Sequence, residues 1–182
     1  LSVALVADTD FGALTIYVDD IRTTKEFTGD EDNRFSFTTL SDKGIISNGV
    51  DVPSQVIDSS GVTHSALTLT LPTGSLTTSE VVLAFKDHVL YMNNTENGAD
   101  TPQRVSWSNI GSVSDMINGT AGFQDLTDDD SWIIGAEILS ENEVAIYKER
   151  SIVQCVWMGR LTPFRFTTIV NDTGAISKDC IL

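Results

Sequence analysis

Apolar and polar residues alternate one by one along much of this chain. Leu67, Leu69 and Leu71 alternate with Thr68 and Thr70, the period-two signature of a half-buried strand. Phe35 and Phe37 alternate with Arg34, Ser36 and Thr38, Ile16 and Val18 flank Tyr17, and Phe164 and Phe166 flank Arg165. Between residues 152 and 158 both sets are largely apolar. Val153, Cys155 and Trp157 share one face, and Gln154 shares the other with Ile152, Val156 and Met158, which predicts a strand inside a sheet. No long window repeats apolar residues at helical spacing. Turn signals separate the runs at Gly29-Asp30, Asp42-Lys43-Gly44, Asn48-Gly49, Pro72-Thr73-Gly74 and Asn97-Gly98. Many short strands with close turns predict an all-β sandwich, barrel or propeller. The stretch from Ser108 to Ser131 reads as an extended connection, with one helical turn near Asp115 to Ile117.

Three segments share one shape: TTLSDKGIISNG, VLAFKDHVLYMNN and GAEILSENEVAIYKER. Each is an apolar strand, a polar turn and a second apolar strand, and a further strand follows each: SQVIDS, QRVSWS and SIVQCVWMG. The anchors Leu40, Phe85 and Leu139 lie 45 and 54 residues apart. A period of about 40 to 50 residues is that of propeller blades, whose sheets need neighbours to cover their faces. The expected architecture is a β-propeller fragment spanning residues 1–182 as one domain. It has about three blade-like antiparallel units, at 12–60, 61–113 and 130–182, with 114–129 as a long connection; a β-sandwich or barrel is the alternative.

Composition narrows the function classes. The 182 residues carry a formal net charge of −15, which disfavours binding to duplex DNA and to anionic membranes. No run approaches the roughly 18 apolar residues that span a bilayer. The start, LSVALVA, lacks a basic leader, and both ends read as cut from a longer chain. Cys155 and Cys180 stand without a CxxC or a Cys/His cluster. That excludes a structural zinc site on ligand count, and two reduced thiols are expected, although one disulfide is possible.

The string LAFKDHVLYMNNTENGADTPQRVSWSNIGSVSDM resembles a segment of phage tail and neck proteins: a Lys-Asx turn, then an Arg-Val-x-Trp-Ser strand, then Gly and an Asp-containing loop. AGFQDLTDDDSWIIGAEILSENEVAIYKERSIVQCVWMG, PFRFTTIVNDTGAISKD and IISNGVDVPSQVID continue the likeness, which covers roughly residues 38–182. The family resembled is that of the packaged-DNA stabilisation and tail-tube propeller proteins of tailed bacteriophages and prophages. The resemblance implies a non-enzymatic virion component without cofactors. It would assemble in the host cytoplasm with other tail or neck proteins, and with copies of itself, around the DNA exit path. An acidic surface would suit a channel that DNA slides past. The alternative is a secreted or surface β module that binds a glycan or protein, with calcium.

Each chemical candidate has a plainer reading beside it. A nucleophilic triad needs an imidazole base, and only His64 and His88 could serve. His88 lies in the turn Lys86-Asp87-His88 and His64 at the start of a loop, so both read as solvated histidines; there is no G-x-S-x-G elbow. Asp30-Glu31-Asp32 and Asp128-Asp129-Asp130 read as solvated acidic loops, with Asp125, Asp128 and Asp130 as a weak calcium candidate. No carboxylate pair stands out for glycoside hydrolysis. Trp107, Trp132 and Trp157 are spaced for a stacking platform but read first as core. Lys148, Glu149 and Arg150 read as an exposed charged strand end, which deters edge-to-edge aggregation. With Trp107, Asp128, Asp129 and Asp130, they form the candidate interface in the family reading.

Overall fold

A computed structural model describes residues 3–7, 14–18, 27–57, 63–159 and 161–181. It is all-β. Among the described residues, strands β1 (Val3–Ala7) and β2 (Leu14–Val18) pair with each other and with no other strand. Three antiparallel meanders follow in chain order. The first sheet holds β3 (Ser36–Leu40), β4 (Lys43–Ser47), β5 (Ser54–Ile57) and β6 (Thr63–Ala66). The second holds β7 (Leu69–Leu71), β8 (Gly74–Phe85), β9 (His88–Glu96), β10 (Ala99–Trp107) and β11 (Gly122–Asp125). The third holds β12 (Ile133–Ser140), β13 (Glu143–Lys148), β14 (Ser151–Trp157) and β15 (Phe164–Asn171).

The three repeated segments are three hairpins of one design. Two-residue turns join β3 to β4 at Ser41-Asp42, β8 to β9 at Lys86-Asp87, and β12 to β13 at Glu141-Asn142. The second turn holds Lys86 and Asp87 at φ of 51° and 60°, the geometry that matches the twist of paired strands. Leu40 and Phe85 end their strands, whereas Leu139 lies one residue short of its strand end because a bulge interrupts the register between Ile138 and Ser140.

The second sheet lies between the other two. Along β8 and β9 successive residues point to opposite faces, and both faces are buried. Val82, Val89 and Tyr91 pack with Leu40 and Ile45 of the first sheet. Val81, Phe85, Leu90 and Met92 pack with Ile133, Val144, Ile146 and Phe164 of the third. β3 and β4 approach β8, while β12 approaches β8, β9 and β10.

Several expectations need correction. Residues 14–18 pair with β1 and not with the first meander. That meander's fourth strand, Thr63–Ala66, lies beyond the expected boundary at residue 60, because Thr-His-Ser-Ala carries almost no apolar signal. His64 therefore sits in a strand, half-buried, rather than at the start of a loop. The connection 114–129 contains β11. No helix forms at Asp115 to Ile117: the Asp115 carboxylate accepts from the Ile117 and Asn118 amides, a local turn that competes with a helix. The one helical turn among the described residues is a 3-10 turn at Lys178–Cys180.

Candidate functional site

Sequence patterning does not point to the place where the three meanders and the C-terminal segment meet. Glu80 of β8 is its centre. Gly49 lies against it: its amide donates to the Ser79 carbonyl at 3.0 Å, and a Cβ there would come within 2.8 Å of the Glu80 side chain. At φ +79° and with no room for a side chain, this position of the Asn48-Gly49 turn requires glycine. Asn48 accepts from the Val50 and Asp51 amides and donates to the Thr28 carbonyl and the Asp51 carboxylate. The Asn48-Gly49-x-Asp51 stretch is thus a structural turn, tied to Thr28 and to Ser79 of β8.

From β9, Asn93 reaches across. Its backbone is left-handed, φ 55°, which asparagine tolerates better than most residues. Its Nδ2 donates to Glu80 Oε2 at 3.1 Å and to the Ile133 carbonyl of β12 at 3.0 Å. From the C-terminal segment, Lys178 Nζ donates to the Glu80 carbonyl at 2.7 Å and to the Arg34 carbonyl at 3.0 Å. Burial pulls the Lys178 ammonium below its ordinary range, against the opposing charges of Glu80 and Asp179. An Asp179–Arg34 ion pair at 3.5 Å lies beside it on the surface.

The sequence-flagged loop forms a second node. Lys148 is buried, 1% exposed, where an exposed strand end is expected. It shares a strand face with Val144 and Ile146, which turns it into the core, and the β11–β12 loop closes over its ammonium. Nζ donates to the Leu126 carbonyl at 2.8 Å and the Asp129 carbonyl at 3.0 Å, and pairs with Asp129 Oδ1 at 3.0 Å. Asp129 also accepts from the Ser131 amide and from the hydroxyls of Ser131 and Ser151. Burial works against its charge, but these hydrogen bonds and Lys148 outweigh it and hold the carboxyl well below the usual range. Asp129 is therefore a structural anchor, not a solvated loop residue. Glu149 and Arg150 are exposed as expected, and so are Asp128 and Asp130. Asp128 accepts from the Thr168 hydroxyl.

The calcium candidate does not assemble. Arg104 grips Asp125 with both ends of its fork, Nε to Oδ1 at 2.6 Å and Nη2 to Oδ2 at 2.8 Å, and holds its carboxyl below the usual range. Nη1 of the same arginine pairs with the buried Glu96 at 2.7 Å, and the guanidinium lies 4.1 Å from the centre of the Phe123 ring. Among the described residues no group of three or more His, Cys, Asp or Glu side chains is placed to hold a metal ion.

The aromatic candidates separate. Trp107 is buried and faces the third sheet, with its indole N–H donating to the Thr120 carbonyl at 2.7 Å, so it belongs to the core and not to an outer interface. Trp157 is half-buried in the same cluster. Trp132 is 55% exposed, contrary to its expected packing role. His88, expected in a solvated turn, is fully buried at the start of β9, with its ring 5.5 Å from Trp157 and 5.3 Å from Phe164. Its Nδ1 lies 2.6 Å from the Ser108 carbonyl and donates to it, which leaves Nε2 inside the cluster without a partner. Burial lowers its pKa, against the Ser108 hydrogen bond and the nearby Asp87. Among the described residues no hydroxyl or thiol bonds to His88 Nε2. Cys155 is buried, its thiol pushed up to about 12, while Cys180 is exposed, and neither forms a disulfide.

No protein-family model matches the chain, and no curated protein matches it.

Proposed function

We propose that this chain is three consecutive blades of a β-propeller, and that the propeller is a non-enzymatic structural part of a tailed-phage tail or neck. The observation that carries the architecture is the ordered stacking of the three meanders. The second sheet is covered on one face by the first and on the other by the third. β8 approaches both β3 and β12, the strands that open the neighbouring sheets. After β15 the chain returns to β8, where Lys178 donates to the Glu80 carbonyl, and a return toward the opening strands is compatible with a bladed arrangement.

The phage assignment rests on the ordered motif series alone. Within it, the Lys86-Asp87 turn, the Arg104-Val105-x-Trp107-Ser108 strand and the Asn48-Gly49-x-Asp51 turn all have structural employment. That supports a scaffold, whose partners are other tail or neck proteins and further copies. The charge of −15 suits a conduit that DNA must pass without sticking. Electron microscopy of particles carrying the chain tests the reading. A bladed ring in a tail or neck is the expected image; a free monomer folded as a closed sandwich would overturn both halves of the proposal.

A further inference from the structure

Three Asn-Gly steps occur in the chain, at Asn48-Gly49, Asn97-Gly98 and Asn118-Gly119. Such a step can rearrange without an enzyme, because the glycine nitrogen, unshielded by a side chain, can reach the asparagine side-chain carbon. The fold treats the three differently. Asn48 is 1% exposed, its amide makes four hydrogen bonds, and the Gly49 N–H is taken by the Ser79 carbonyl. Asn97 lies on the surface in a tight hairpin turn, but both ends of its amide are tied: Nδ2 donates to the Thr73 carbonyl at 2.7 Å and Oδ1 accepts from the Ser75 amide at 2.9 Å.

Asn118 is exposed, in the irregular loop between β10 and β11. Its Nδ2 touches only the exposed side of Asp115, at 3.1 and 3.3 Å, its Oδ1 has no partner, and the Gly119 N–H makes no hydrogen bond. The Asn118 main chain is held by the Asp115 carboxylate and the Ala121 amide, at 3.0 Å each, but the side-chain amide itself is tied to Asp115 alone, and at an exposed site.

We propose that Asn118-Gly119 is a site of spontaneous modification, converting to aspartate and isoaspartate in the folded protein ahead of the other two steps. The Gly119 nitrogen attacks Cγ of Asn118. The new C–N bond replaces the Cγ–Nδ2 bond, and the departing ammonia carries away the Gly119 amide proton. Water then opens the succinimide at either carbonyl, and no electron changes hands. The product places a second carboxylate beside Asp115. The isoaspartate form adds a carbon to the main chain two residues before Thr120, whose carbonyl holds the Trp107 indole.

The test is incubation of the folded protein in mildly alkaline buffer, with peptide mapping by mass spectrometry and isoaspartate detection by protein isoaspartyl methyltransferase with labelled S-adenosylmethionine. The amide-to-acid mass gain is expected in the peptide holding Asn118 several-fold faster than at Asn97 and Asn48, with a parallel change in Trp107 fluorescence. Asn118→Gln, with its fold checked by circular dichroism, should remove the leading signal. In denaturant the three steps should converge in rate. First conversion at Asn97 or Asn48, no conversion in the folded protein, or the same lead for Asn118 in denaturant would each overturn the proposal.

Discussion

The second sheet meets its two neighbours through different chemistry. Toward the first sheet, the open edge of β8 is held by hydroxyls. Ser36 Oγ accepts from the Val82 amide and donates to the Val82 carbonyl, Thr38 Oγ1 accepts from the Ala84 amide at 2.7 Å, and Ser47 donates to the Ser79 carbonyl. Toward the third sheet the contact is filled by rings: Phe85, His88, Trp107, Trp157 and Phe166 all surround Phe164. One design of hairpin is thus joined once through hydroxyl bonds beside an aliphatic core and once through a cluster of rings. Hydroxyls fix relative position at modest net energy, whereas buried rings supply most of the cohesion.

Removing the central ring should give the largest effect. Phe164→Ala leaves a hole under five rings and is expected to cost about 3–5 kcal/mol, read as a lower urea midpoint at unchanged slope. If the loss is no greater than for a hydroxyl variant, the two contacts do not differ as described. Thr38→Val keeps the shape but leaves the Ala84 amide without its acceptor, and about 1 kcal/mol is the expected loss in the same assay.

The third effect depends on pH. The fold holds the His88 pKa below its ordinary value, so the neutral ring stabilises the folded state and the unfolded chain binds the proton first. Stability should decline as pH falls below about 6.5, the unfolded histidine value. Carboxylates held low, such as Asp129, begin to contribute only below about 3.9, the unfolded aspartate value. Thermal melts across the upper window should show the decline in the natural protein and a flatter profile in His88→Phe. An equal slope in both would place the sensitive group elsewhere.

Legibility along the chain follows these chemistries. Period-two alternation marks strands, so the all-β class and the three hairpins could be read directly, and β14 is an inner strand as its two apolar faces predict. Alternation alone does not say which face is buried against what. At β3 the phenylalanines draw attention, yet Ser36 and Thr38 bond to β8, while Phe37 is 50% exposed. Lys148 looks like a surface residue until strand parity is followed from Val144 through Ile146. Of the three-sheet junction only the Asn48-Gly49 turn carries a local signal, since Glu80, Asn93, Ile133 and Lys178 come from four further stretches and their partners are mostly backbone atoms.

The contact between Lys178 and Arg34 joins residues 144 positions apart. A contact of that separation gains little until the intervening chain is in place, so it is expected to form late in folding, which a low φ-value for Lys178→Ala would check. Stabilising it should leave the folding rate nearly unchanged and slow the unfolding rate. In kinetic terms the Lys178 turn is a clasp: it governs how long the stack persists more than how quickly it assembles.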